Sequence, residues 1–139
     1  MADEGIVTGG CACGAVRFRF DRGASPSAHH CHCRDCQRAT GSAFATFCIV
    51  PEAAFGLEGE PHSWRVQGES GGGVVRSFCG QCGSQLFSRV EVMPGVLFVK
   101  TGVMDDASWV DPASSFWSAS AQPWCPASPG IPAHEGNPG

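Results

Sequence analysis

A chain of 139 residues is one domain's length, and 42% hydrophobic against 16% charged residues excludes a disordered chain. The formal charge of −4, with Lys100 the single lysine, argues against a nucleic-acid backbone partner, and no run of about 18 apolar residues offers a membrane-spanning helix. The 19 Gly and 10 Pro, about a fifth of the chain, suit turns and short strands rather than long helices.

The opening MADEGIVTGG is acidic and lacks the basic start and apolar core of a secretory signal, so a cytoplasmic location is expected. Alternation of apolar and polar residues then predicts a series of strands: residues 15–20 (AVRFRF), 44–50 (FATFCIV), 62–67 (HSWRVQ), 74–78 (VVRSF), 84–89 (SQLFSR) and 96–101 (VLFVKT). A weaker strand is expected over residues 115–119 (SFWSA). The ESGGG stretch at 69–73 is expected to join two of these strands as a flexible hairpin connection. One short helix is predicted over Arg34–Thr40, stopped by Gly41. Short strands at this spacing predict a mainly β, antiparallel domain over residues 1–124. Residues 125–139 read as a Pro- and Gly-rich irregular tail, ordered near Trp124 and frayed at its end.

The nine cysteines carry the chemistry. In an unsecreted chain, clustered Cys bind metal or react more often than they form disulfides, and an odd number cannot pair off. Seven fall into tight groups: Cys11-x-Cys13, Cys31-x-Cys33-x2-Cys36 and Cys79-x2-Cys82. Two of these groups share a setting, since GCACGAVRF and FCGQCGSQLF each place a Cys pair just before a Gly and then a strand. These two pairs divide off as one closed four-thiolate zinc site of Cys11, Cys13, Cys79 and Cys82. Cys31, Cys33 and Cys36 then hold a second zinc with one position free for substrate, since closed sites are structural and open ones catalytic. A side chain filling that position, from Cys48, His30 or His32, is the competing reading. It would turn the protein into a zinc-stabilised binding module; thiol or metal sensing by the middle group is a third class.

Zinc with three thiolates is a weak Lewis acid and a soft partner for a further thiolate, which favours a thiol substrate over activated water. Arg34 and Arg38, one helical turn apart beside the middle group, either offset its negative charge or form a solvated helix face. Asp105 and Asp106 read as turn residues. Trp109, Phe116, Trp117 and Trp124 divide between core packing and the wall of a pocket.

Three segments in series, GGCACGAVRF, CHCRDCQRATGSAF and RSFCGQCGSQLF, closely resemble the glutathione-dependent formaldehyde-activating enzyme family, with centromere protein V as a relative; the likeness runs from about Gly9 to Trp124. The resemblance implies a β-tent-like fold pinned by zinc. It implies Cys11, Cys13, Cys79 and Cys82 as ligands of a structural zinc, and Cys31, Cys33 and Cys36 as ligands of a catalytic one. It further implies carbon–sulfur lyase chemistry, the reversible joining of glutathione and formaldehyde. The Pro-rich ending departs from the founding enzyme, and no residue is matched to glutathione recognition.

Overall fold

The computed structural model describes residues 5–25, 27–68 and 71–137. Ten strands form two sheets: β1 (Ile6–Gly10), β2 (Arg17–Asp21), β3 (Ser27–Cys31), β4 (Ala45–Pro51), β5 (Phe55–Glu58), β6 (His62–Gln67), β7 (Gly73–Phe78), β8 (Gln85–Val90), β9 (Val96–Lys100) and β10 (Ser114–Phe116). A three-stranded sheet runs β1-β2-β5, and a seven-stranded sheet runs β10-β3-β4-β9-β8-β7-β6. Every pairing is antiparallel except β10 with β3, which is parallel because the irregular stretch after β9 carries the chain across before it pairs. Among the described residues the single α-helix, α1 (Arg34–Thr40), spans the expected residues and ends on Gly41 in the left-handed conformation at φ 69°.

The six strands predicted from alternation are all present, within two residues at their ends. The weak seventh is Ser114–Phe116 and stops at Trp117, whose φ of 58° turns the chain out of the strand. Three strands are additional. In β1 (IVTGG) and β5 (FGLE) glycine interrupts the pattern, and in β3 (SAHHC) polar side chains occupy both faces. Glu69 and Ser70 of the expected hairpin connection lie outside the described residues, but the strands it joins, β6 and β7, do pair antiparallel.

The two faces of the large sheet do different work, because successive side chains of a strand point to opposite sides. On one face Ala28, Cys48, Val50, Phe87, Leu97 and Val99 pack against Val7, Phe18 and Phe20 of the small sheet. Phe55 of β5 meets Phe87 edge-on at 5.3 Å. On the other face Cys31, Ala45, Phe47 and Phe116 form a second cluster with Cys33 and Cys36 of the α1 region. This double duty explains why β4 reads ATFCIV with almost no polar position.

The Pro-rich ending has no long element, yet it is held. Ser115 donates to the Pro132 carbonyl and accepts from the His134 amide, Trp117 donates to the Gly136 carbonyl at 3.0 Å, and Ser115 bridges Ala133 in parallel. Trp124 lies in a turn closed by the bridge between Gln122 and Cys125, and its side chain is 73% exposed.

Candidate metal centres and active site

The first cysteine group sits where hairpins of the two sheets meet. Cys11 and Cys13 lie in the turn between β1 and β2, and Cys79 and Cys82 in the turn between β7 and β8. The turns share a hydrogen-bond plan that follows from their common sequence. The amide of Cys11 donates to Val16 and that of Cys79 to Ser84, while Gly14 and Gly83 return to the carbonyls of Cys11 and Cys79. Both glycines have φ near +80°, a conformation that a side chain at either position would oppose. The result brings all four sulfurs within 4.8 Å of one another.

Sulfurs held at ~2.3 Å from one tetrahedral ion lie ~3.8 Å apart. Cys11 and Cys13 are separated by 3.6 Å and Cys13 and Cys79 by 3.7 Å, so the four residues fit a single metal ion without rearrangement. Backbone N–H groups of Val16, Gln81 and Cys82 point at the sulfurs of Cys11 and Cys79, as acceptor thiolates require. The charge is unevenly shared in the bare group. Hydrogen bonds from Ser84 draw the Cys82 thiol down to about 5. At Cys13 the backbone at Ala15 acts downward, but burial and the neighbouring thiols win and push it up to about 12. Sulfurs this close cannot all be anionic without a cation among them.

The second group crosses the end of β3 and the start of α1. Cys31 closes the strand, and Cys33 is the N-cap of α1, its sulfur accepting the Cys36 amide at 3.2 Å. Cys36 sits one turn in, and the three sulfurs lie within 4.8 Å of one another. Among the described residues no fourth Cys, His, Asp or Glu joins them. Cys48 belongs to the opposite face of the sheet, packed in the core between Ala28 and Val99. His30 Nδ1 is hydrogen-bonded with the Thr46 hydroxyl at 2.7 Å, and His29 has both ring nitrogens engaged by Ser27 and Ser114. His32 is buried with Nδ1 unpartnered.

Two cations face this group, and neither was singled out as a site residue from the sequence. Arg76 of β7 places Nη2 3.7 Å from Cys36 Sγ, and Lys100 ends β9 with its ammonium 5.7 Å from the Phe47 ring centroid. Both are buried, at 7% and 8% exposure. Hydrogen bonds from Cys31 and Cys33, reinforced by the charges of Lys100 and Arg76, hold the Cys36 thiol well below its ordinary value. Cys31 moves the opposite way, because its hydrogen bonds to Cys33 and Cys36 favour its protonated form. Burial lowers the Lys100 ammonium, and the Cys36 thiolate opposes that effect. Arg34 and Arg38 stand exposed on α1, with Arg34 donating to Gln37, and neither lines the cavity in front of the three sulfurs.

The group opens onto a cavity of about 430 Å³. Its wall is one face of the large sheet, and register explains its membership: Ser114, His29, Phe47 and Lys100 are successive partners, as are Ile49, Phe98, Ser88 and Arg76. The held ending completes the wall with Trp117, His134 and Asn137. Trp117 donates from Nε1 to Asn137 at 2.7 Å and is the one described non-glycine residue with positive φ. Of the other aromatic candidates, Phe116 lines the cavity, Trp109 packs on the core under Arg22, and Trp124 is exposed. Asp105 is tied to Arg17 and Thr8, and Asp106 caps the turn at Ser108, so both serve turns away from the cavity.

Residues 6–120 match the family model described as glutathione-dependent formaldehyde-activating enzyme. The chain belongs to this family. A curated protein of Penicillium rubens, named provisionally as a glutathione-dependent formaldehyde-activating enzyme, is 26% identical over 125 residues. That similarity covers 81% of this chain and 65% of the relative, so the chain spans under two thirds of the relative's length. A crystal structure of a Rhodobacter sphaeroides protein superposes with a TM-score of 0.57 at 19% identity, covering 76% of this chain and 91% of the other. It is similar in fold. Among the described residues no helix is long and apolar enough to cross a membrane.

Proposed function

We propose that this chain is a zinc-dependent carbon–sulfur lyase that reversibly joins a small thiol to an aldehyde, with two zinc ions in separate roles. Cys11, Cys13, Cys79 and Cys82 would hold the structural ion, and Cys31, Cys33 and Cys36 the catalytic one. The observation that carries the reading is the contrast between the groups. One has four mutually close sulfurs in a turn-to-turn junction, and the other has three sulfurs, no fourth side-chain ligand among the described residues, and a cavity before it. That contrast favours an open site over a binding module with two closed ones.

Bound by three thiolates, zinc would supply a soft partner that keeps a substrate thiol ionised at neutral pH. The chain's residues do the rest. Arg76 and Lys100 neutralise the cysteine thiolates from behind, so that a further anionic sulfur enters without repulsion. The apolar cavity wall excludes water, which would otherwise compete for the aldehyde as its hydrate. In the addition, the sulfur lone pair forms the carbon–sulfur bond, the carbonyl π pair passes to oxygen, and the proton that the thiol released on ionising returns to that oxygen to complete the hydroxymethyl thioether. The reverse reaction breaks the same bond and returns aldehyde and thiol.

The test is adduct formation from formaldehyde and a panel of small thiols that includes glutathione, followed by carbon-13 exchange spectroscopy on zinc-loaded protein. An exchange rate above the spontaneous one for some thiol, lost in Cys33→Ser, is expected. Spontaneous rates for every thiol would overturn the lyase assignment.

A further inference from the structure

The cavity in front of the three-cysteine group has a mostly apolar wall. We infer that the substrate thiol has an apolar, uncharged body of aromatic or branched aliphatic type, and that glutathione is a poor ligand; this rests on the lyase reading and specifies its substrate class.

The first ground is what the wall offers. Phe47, Ile49, Val90, Phe98, Phe116 and Trp117 line it, and its surface is mostly apolar. Phe47 and Phe98 stack at 4.8 Å with 14° between planes, giving a flat apolar floor beside the sulfurs. Val92 and Met93, 63% and 43% exposed, extend the same character to the rim. Aromatic and branched side chains of a ligand gain by leaving water for such a surface, whereas peptide groups lose hydration without replacement.

The second ground is that the wall's cations and several of its polar groups are engaged. His29 is held by Ser27 and Ser114, and Asn137 accepts from Trp117. Arg76 and Lys100 line the cavity, with Arg76 turned to Cys36 and Lys100 over the Phe47 ring. A tripeptide thiol brings two carboxylates and an ammonium, and both wall cations already serve the cysteine sulfurs and the ring. Asp35, half-buried on the same wall, adds a negative charge that disfavours the carboxylates further.

The third ground is charge balance. The three cysteine thiolates and the Asp35 carboxylate are matched by a dication and by the cations of Arg76 and Lys100. A thiol with an uncharged body adds one negative charge, carried by the sulfur at the metal, whereas glutathione as its thiolate adds two, and burying an unmatched charge in an apolar cavity is costly.

The test is calorimetric titration of zinc-loaded protein with phenylmethanethiol, with 4-(mercaptomethyl)benzoate as its charged isostere, and with glutathione. Phenylmethanethiol is expected to bind at least tenfold more tightly than either of the others. Val92→Lys, at an exposed rim position that the fold tolerates, should erase most of that preference by offering the carboxylates a cation, and Phe98→Ser should weaken it from the floor. Glutathione binding as tightly as phenylmethanethiol would overturn the apolar class and leave thiol chemistry standing. Failure of all three thiols to bind would overturn both this inference and the lyase reading.

Discussion

Arg76 Nη2 lies 3.7 Å from Cys36 Sγ, and the two residues come from strands and helices 40 positions apart in sequence. The contact joins a buried guanidinium to the sulfur that is most readily anionic in its group, so each compensates the other's burial. Arg76 therefore acts as a partner that tunes the ligands. Arg76→Met keeps the side-chain length and removes the charge. It is expected to leave the fold intact and to weaken metal binding at the three-cysteine group by about 10–100-fold, the usual effect of removing such a supporting contact. Competition with a coloured chelator measures it.

The two cysteine groups should respond differently to loss of one ligand. Cys82 ties the β7–β8 turn to the β1–β2 turn, across the junction of the sheets. Structural zinc contributes about 10–16 kcal/mol in small zinc domains, against a total stability of about 5–15 kcal/mol for a domain. Cys82→Ser is expected to be unfolded or insoluble. Cys33→Ser, whose group lies at one end of the large sheet, is expected to stay folded with one fewer zinc per chain. Metal analysis and circular dichroism on both variants check this, and equal unfolding would contradict the division of roles.

The sequence made the cysteine grouping legible because ligand spacing is local. Turns such as CACG and CGQCG encode their own geometry, and the capped helix after Cys33 does likewise. Alternation likewise exposed β2, β4, β6, β7, β8 and β9. What it could not expose was the partnership of Arg76 and Lys100 with Cys36, which depends on strand register across β7, β8 and β9. A faint signal existed, since a charged residue occupies an inward position in each of the apolar strands GVVRSF and VLFVK. The closing of the cavity by the Pro-rich ending had no local signal, because extended chain paired with β10 has no period of its own.

Acid should destabilise the fold through His29 and His30. Burial pushes both imidazoles below their ordinary value of 6.5, with a neighbouring histidine adding to the effect at each. The folded state thus binds protons less readily than the unfolded chain, so the stability from the neutral rings is fully present above pH 6.5 and declines as pH falls below it. Melting temperature is expected to drop between about pH 6.5 and 5, and His29→Gln should flatten that drop. Comparing melts of the two proteins under constant zinc isolates the histidine contribution from metal release.

The strength of the junction between the sheets can be read at Phe87. Its ring is 2% exposed and meets Phe55 edge-on at 5.3 Å, so one side chain of the large sheet anchors in the small one. Truncation leaves a void that the backbone, fixed by pairing of β8 on both sides, cannot collapse to fill. Phe87→Ala is expected to cost about 3–5 kcal/mol. Phe98→Ala, on the opposite face of the adjoining strand, opens onto an existing cavity and removes less burial, so it should cost clearly less. Urea denaturation of both variants at saturating zinc gives the two values. Equal costs would mean that the cavity face is packed as tightly as the core.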